Sequence, residues 1–406
     1  MNSKIFERFT RYAGIDTQSS EESGSFPSTP GQAKLAELLV SELYELGIED
    51  AAYDPRSGCV YAHIPATAGC DGRRTTGFIS HLDTSPEASG CGVKPRLVPD
   101  YDGGDITLCE GTVLSPVQFP ELRAYKGQTL IVADGTTLLG ADDKAGIAEI
   151  MTAAELLMQP DAPAHGRIAI AFTPDEEIGG GISRFDLERF GADCAYTVDG
   201  GALGELEYEC FNAASAKVTV TGVGIHTGEA KGKMKNAARI AGEFDALLPQ
   251  DERPENTEGY EGFFHLEAVN GGVECCTLEY LIRDHDRDRF EARKQLMLDT
   301  AAALNDKYGG GTVTAELKDT YYNMREKIFP DNMFLIDNAA ECMRALGIEP
   351  TVKPIRGGTD GANLSYRGLP CPNLCAGGHN FHGRYEYCCL ESMEKIAQLI
   401  VLLASH

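Results

Sequence analysis

Apolar residues recur along the chain in two alternating rhythms. Runs that are apolar at nearly every position fall at residues 60–64, 77–80, 129–132, 167–172 and 194–198. Between them lie stretches where apolar residues return at helical spacing. Ile5, Phe6, Phe9 and Tyr12 predict a helix ending near Gly14. Leu35, Leu38, Leu39, Leu43 and Leu46 predict a second, which Gly47 stops. Thr29-Pro30-Gly31-Gln32 ahead of it has the form of a capping box with proline at the first helical position. Ile147, Ile150, Met151, Ala154 and Leu157 predict a third, entered from the 129–132 strand through Gly140, with Asp142 and Asp143 at its start. Residues 85–126 are rich in Gly and Pro, with little periodicity. Loops of that length in compact proteins usually serve a function.

Buried strands alternating with helices predict an α/β fold: a mainly parallel sheet flanked by helices, with its ligand site beyond the strand C-termini. From about Ala213 the order changes. A strand at 218–220, a helix at 236–248, strands at 263–269 and 278–282, a helix at 287–305 and a strand at 312–317 follow one another. That β-α-β-β-α-β order is ferredoxin-like. The first pattern then resumes, with a helix at 331–346, a strand at 351–355, a strand ending near Ala376 and a closing helix from about Leu390. The expected organisation is a larger domain in two parts, 1–212 and 322–406, with a ferredoxin-like α+β domain, 213–321, inserted between them.

A length of 406 residues suits such a division, and 42% apolar with 24% charged residues is ordinary for a globular protein. No apolar run is long enough to span a bilayer, and residues 1–8 lack the apolar core of a signal peptide, so a soluble cytoplasmic chain is expected. A net charge of −26 without any cluster of Lys and Arg argues against a nucleic-acid partner. The 13 cysteines are odd in number and dispersed: Cys371 and Cys375 are spaced C-x3-C, and Cys275–Cys276 and Cys388–Cys389 are adjacent. None of this makes a zinc-knuckle pattern, and reduced structural thiols are expected.

The chemistry collects at strand ends. His81 and Asp83 follow one strand, Asp142 opens a helix, Glu176 and Glu177 follow another strand, and Asp199 another. Singly these read as a core histidine, a helix cap, a solvated charge pair and a turn residue. Together on one rim, with a late histidine (His379 or His382), they make a mixed His and carboxylate set suited to a zinc-type ion, and a shared aspartate could bridge two. On an extended strand His81 and Asp83 share a face, so Asp83 can orient the imidazole.

The segments Ser80-His81-Leu82-Asp83-Thr84, Gly140-Ala141-Asp142-Asp143-Lys144-Ala145-Gly146, Thr173-Pro174-Asp175-Glu176-Glu177 and Val198-Asp199-Gly200-Gly201 resemble the M20 family of co-catalytic zinc peptidases over nearly the whole chain. Runs such as Phe211-Asn212-Ala213-Ala214-Ser215, Tyr321-Tyr322-Asn323-Met324-Arg325-Glu326-Lys327 and Pro354-Ile355-Arg356-Gly357-Gly358-Thr359-Asp360-Gly361 are similar to its tripeptide aminopeptidases. The resemblance implies two Zn²⁺ per subunit bridged by Asp142, with His81 and Asp199 completing one site and Glu177 with a late histidine the other. His382-Gly383-Arg384-Tyr385-Glu386 matches the subfamily pattern of histidine, glycine and an acid four positions on, which selects His382 over His379. It further implies Glu176 as general base, Asp83 supporting His81, and a cis peptide between Asp142 and Asp143. A metal-activated water would then release the N-terminal residue of a tripeptide.

In the inserted domain, Gly224-Ile225-His226-Thr227-Gly228 resembles the family's substrate-contacting segment, and Asn236, Arg283 and Arg356 are candidate contacts to substrate carbonyl or carboxylate groups. For Arg283, an ion pair with the flanking Asp284 or Asp286 is the competing expectation. The domain would close over substrate, with His226 a candidate contributor to the oxyanion site, and would be of the kind that mediates a homodimer. The competing functions are a dipeptidase or N-acyl amino acid deacylase of the same family, a non-catalytic peptide-binding relative, and a binuclear phosphoesterase. The last is disfavoured because no phosphate-binding loop is evident.

Overall fold

The computed structural model describes residues 2–109 and 111–406. The chain forms two compact units: residues 1–208, 326–353 and 359–406 make the first, and 209–325 with 354–358 the second.

The first unit is built on an eight-stranded sheet. Its centre is parallel: Ile168–Thr173 pairs with Thr76–His81, which pairs with Cys194–Gly200, which pairs with Asn373–Cys375. Its flanks are antiparallel, through Cys59–Ile64 on one side and Glu205–Glu209 on the other. Every residue of Ile168–Thr173 is buried, as expected for a strand covered on both faces. Register then places chemistry. His81 is paired with Thr173 and Ile79 with Thr197, so the parallel pairing continues to set Asp199 beside His81.

The helix Ala141–Leu157 packs against two of these strands and against the helices Asn2–Ala13 and Leu390–Ser405. It is buried nearly all round. Gly146 allows its close approach: a Cβ there would stand 2.0 Å from the carbonyl oxygen of Val198. The open end of that helix is thereby held next to Asp199.

Three expectations change. The 129–132 run is a strand, Leu130–Val132, but it belongs to a separate four-stranded antiparallel sheet with Arg96–Val98, Tyr387–Cys389 and Gly378–His379. Asp142 therefore reaches the rim from a loop and a helix start, not from a strand of the main sheet. The 85–126 segment contains short strands, Arg96–Val98, Ile106–Cys109 and Thr112–Leu114, too brief to leave a periodic signal. The capping box is not formed. Thr29 makes no side-chain cap to the helix Pro30–Glu45, and the Gln32 carboxamide binds Asp175 through both its ends, with Nε2 also 3.3 Å from Thr29 Oγ1.

The second unit has the strand order Phe263–Gly271, Cys275–Asp284, Asn212–Thr221, Val313–Tyr321, all antiparallel, with the helices Ala237–Leu247 and Arg287–Tyr308 packed on the sheet. This is the ferredoxin-like arrangement, with its own core around Phe244, Phe264, Tyr280 and Phe290. The unit begins and ends slightly outside the span 213–321. The two chain crossings are tied together there by Cys210 N to Asn323 Oδ1 (3.0 Å) and Asn323 N to Asn212 Oδ1 (3.0 Å).

Among the described residues no helix is long and apolar enough to cross a membrane. All 13 cysteines are free.

Candidate active site

His81 ends its strand with the imidazole buried. Its Nδ1 lies 3.0 Å from the backbone oxygen of Asp83 and 3.3 Å from Asp83 Oδ1. A carbonyl oxygen only accepts, so Nδ1 carries a proton, and Nε2 is the nitrogen whose lone pair becomes available when the ring is neutral. That Nε2 faces two further acceptors, Asp142 Oδ1 at 2.8 Å and Asp199 Oδ1 at 3.5 Å.

The other side of Asp142 repeats the arrangement. Its Oδ2 is 3.3 Å from His382 Nε2, which is also 3.0 Å from Glu177 Oε2. Glu177 Oε1 is buried without a hydrogen-bond partner. Two groups result, His81–Asp142–Asp199 and Asp142–Glu177–His382, each with its ligand atoms within 4.8 Å of one another. While the imidazoles are protonated their Nε2–H groups donate to these carboxylates; once deprotonated, their lone pairs and the carboxylate oxygens converge and suit a cation. Mixed imidazole and carboxylate donors around one shared aspartate fit a pair of divalent ions.

Local backbone explains the placement. Gly140 takes a left-handed conformation (φ 76) before Ala141, Asp142 departs from helical angles, and the Asp142–Asp143 peptide is cis. The two aspartates diverge. Asp142 faces both histidines, whereas Asp143 accepts from Ser80 Oγ and from His81 N at 3.1 Å. The loop is fixed by Glu386, whose carboxylate accepts from Leu139 N (2.7 Å), Gly140 N (2.8 Å) and Asp142 N (3.1 Å). Asp83, fully buried, accepts from Glu176 N at 2.9 Å and Glu177 N at 3.1 Å. One carboxylate thus serves His81 and the glutamate turn together.

The electrostatics are those of carboxylates crowded out of water. Burial raises Glu177 to about 7, reinforced by Asp142. Burial also raises Asp199 to about 6, against the opposing His81. Glu176 stands well above the usual carboxylate range through burial, opposed by His81 and reinforced by Asp199, Asp360 and Glu177. Burial alone would raise Asp142, but His382 and His81 hold it well below its ordinary value. Hydrogen bonds to Asp142 and Glu177 push His382 up to about 11. His81 is likewise held high, by Asp199, Asp142 and Asp83, although burial opposes this.

The four residues of the inserted domain have other partners within their unit. His226 Nδ1 accepts from Gly228 N at 3.2 Å. Asn236 Oδ1 caps the helix Ala237–Leu247 by accepting from Arg239 N at 3.2 Å. Arg356 is spread over Gly259 O (2.7 Å), Glu261 O (2.9 Å) and Thr257 Oγ1 (2.9 Å), and Arg283 Nη1 donates to Arg356 O at 3.2 Å. Asp284, beside Arg283, pairs with Arg293. His379 has a structural setting. Its Nε2 is 2.5 Å from Tyr125 Oη, its ring stacks on Tyr387 at 4.7 Å, and burial lowers it to about 4.

Sequence reasoning overlooked the work of Glu386. The signal was present, since an acid four positions after the histidine belongs to the resemblance used to choose His382. Glu386→Gln leaves one donor-facing oxygen fewer against three amides, and is expected to cost about 1.5–3 kcal/mol of stability. A lower urea midpoint at unchanged m-value, with weaker divalent-ion binding, checks it. Asp360 was likewise not singled out. It accepts from Thr173 Oγ1 at 2.8 Å, and burial raises it to about 7.

A family model described as the peptidase dimerisation domain matches residues 208–312. Peptidase T of Geobacillus thermodenitrificans is 57% identical over 403 residues, covering 99% of this chain and 97% of that protein. Peptidase T of Alkaliphilus oremlandii is 53% identical over 401 residues, 98% and 97% of the two chains. Among solved structures, the fold matches aminopeptidase PepT from Bacillus cereus with a TM-score of 0.77 at 24% identity, covering 100% of this chain and 98% of that one. It also matches a dinuclear metal-binding peptidase of the M20 family from Bacillus subtilis, with a TM-score of 0.65 at 15% identity over 100% and 97%. With more than half of its residues shared with those relatives along its whole length, the chain belongs to the peptidase T family of M20 peptidases.

Proposed function

We propose that the protein is a zinc-dependent aminopeptidase that releases the N-terminal residue from tripeptides. The observation that carries this reading is the pair of donor groups sharing Asp142, with Glu176 next to the donor Glu177. His81, Asp142 and Asp199 would hold one ion, and Asp142, Glu177 and His382 the other. When bound, zinc supplies Lewis acidity, polarising the scissile carbonyl and making water a stronger acid.

The chain's own residues do the rest. Glu176 takes a proton from the attacking water at its carboxylate and later delivers it to the leaving amine nitrogen. Its raised pKa suits both roles better than an exposed glutamate would. Asp83 keeps the Glu176 turn and the His81 ring in mutual register through its two oxygens. The relatives' name supports a peptide substrate, the likeness of residues 321–327 and 354–361 to tripeptide aminopeptidases supports the tripeptide class, and the match of the second unit to a dimerisation domain supports a homodimer.

A hydrolysis panel on zinc-reconstituted protein tests this: matched di-, tri- and tetrapeptides, an N-acetylated tripeptide and an N-acyl amino acid. The expected result is preferential cleavage of the tripeptide with a free N-terminus. Preference for the acylated substrates would replace this reading with a deacylase.

A further inference from the structure

The turn that carries Glu176 and Glu177 is held by a part of the chain that the chemistry above does not use. Asp175 stands immediately before them in the left-handed backbone region (φ 53), a state that its surroundings must maintain in a residue with a side chain. Its buried carboxylate accepts three hydrogen bonds, from Ser28 N (2.8 Å), Ser28 Oγ (2.5 Å) and Gln32 Nε2 (2.7 Å). Its own N–H donates to Gln32 Oε1 at 3.0 Å. The Gln32 carboxamide therefore binds both the side chain and the main chain of residue 175. Gln32 and Ser28 are themselves buried. Behind them, Ser28 Oγ accepts from Ser20 N (3.0 Å) and Gln32 Nε2 (3.2 Å).

The far side of the turn is closed as well. Gly180 N and Gly181 N donate to Asp175 O at 2.8 and 3.3 Å. Gly181 is pressed so close that a Cβ would lie 1.8 Å from Pro174 O. Three consecutive amides are each bound by a side chain from elsewhere: that of Asp175 by Gln32, and those of Glu176 and Glu177 by Asp83. With those amides fixed, the directions in which residues 176 and 177 leave the main chain are fixed too.

We propose that Gln32 and Ser28, acting through Asp175, are positioning residues that set the projection of Glu176 and Glu177. This rests on the reading of Glu176 as proton carrier and Glu177 as metal ligand. The chemistry of position 32 suits the task. A carboxylate there would face Asp175, and an apolar side chain would leave the buried Asp175 N–H unpaired and take one of the two hydrogen bonds from Asp175 Oδ1. Glutamine supplies one donor and one acceptor from a single rigid plane.

The test is Gln32→Met, which keeps length and volume while removing both bonds, with Ser28→Ala as a second, gentler variant. Each is examined by thermal unfolding, by cobalt(II) titration followed in the visible spectrum, and by kcat and KM on a tripeptide. The expected result for folded Gln32→Met is a kcat lowered by about 10–100-fold with KM nearly unchanged, an altered cobalt spectrum, and looser binding of one of the two ions. Ser28→Ala is expected to move the same quantities less. Combining Gln32→Met with Asp175→Asn is expected to cost less than the product of the single effects, since both act along one path.

Wild-type cobalt spectra, ion affinities and kcat in folded variants overturn the proposal. If Gln32→Met does not fold, Ser28→Ala decides by the same readouts. If the unaltered protein cleaves no tripeptide, the proposed function fails, while the cobalt titration still decides whether Gln32 positions the site.

Discussion

Replacing Glu176 by glutamine is expected to lower kcat on a tripeptide by about 10²–10⁴-fold while leaving the bound ions in place. The side chain of Glu176 belongs to neither donor group, so its charge is not needed to hold a cation. Its amide is anchored to Asp83, and glutamine of the same shape preserves that anchor. What the substitution removes is the ability to accept a proton from water. The glutamate is half-buried among other carboxylates and stands well above the usual range before ions bind, and nearby cations bring it down toward the working pH. The acid limb of the rate profile therefore reports protonation of this base, and it disappears in the residual activity of the variant. Single-turnover kinetics with parallel metal analysis measure both. A variant that retains its ions and full activity would require another base.

Removing and restoring the metal is expected to give the largest effect on the molecule as a whole. Each ion that binds only the folded state at 1,000 times its dissociation constant adds about 4 kcal/mol of stability, so chelation should lower Tm sharply and zinc should restore it. The pH dependence has a definite sign. In the ion-free protein His382 titrates near 11 and His81 well above its ordinary value, so both hold protons at neutral pH. Glu177, near 7, and Asp199, near 6, take up theirs as pH falls through those values. Binding needs all four deprotonated. Affinity should therefore fall from pH 8 to pH 6, by about tenfold per unit for each proton displaced.

The ion-free fold follows the same groups. His382 has a raised pKa, and the stability it contributes is present below its ordinary 6.5 and lost as pH rises through about 11. Glu177 is also raised, so its ionisation costs stability increasingly between about pH 4.5 and 7. Calorimetric titration with zinc in buffers of different ionisation enthalpy counts the protons released. An affinity independent of pH would remove His81 and His382 from the ligand set.

Much of the fold was legible because it follows from local rhythm. Buried runs such as Ile168–Thr173 and the periodic face of Ala141–Leu157 announce their own structure. The order of strands and helices in the inserted unit likewise carries its topology. What stayed hidden were decisions made between distant residues. Leu130–Val132 reads as any apolar strand, and only its pairing with Tyr387–Cys389 assigns it to a second sheet. Thr29 and Gln32 have the spacing of a cap, but a buried carboxylate more than a hundred residues away is the stronger partner for the carboxamide. In the candidate site, residue types at strand ends pointed to cations, and the parallel register explains how His81 comes to lie beside Asp199. The anchoring role of Glu386, and the engagement of Arg356 with carbonyls of its own unit, have no trace in spacing alone.

The parallel strand Asn373–Cys375, lodged between Cys194–Gly200 and Glu205–Glu209, has a consequence for how the protein is made. Until it arrives, the Cys194–Gly200 strand keeps one edge open, the kind of edge that recruits foreign strands. Synthesis from residue 200 to residue 375, at about 5–20 residues per second, leaves that edge waiting for roughly 10–35 s while the inserted unit, with a core of its own, emerges. His382 and Glu386 follow only after the sheet has closed. An unfinished chain thus lacks one of the clustered histidines and the anchor of the Asp142 loop.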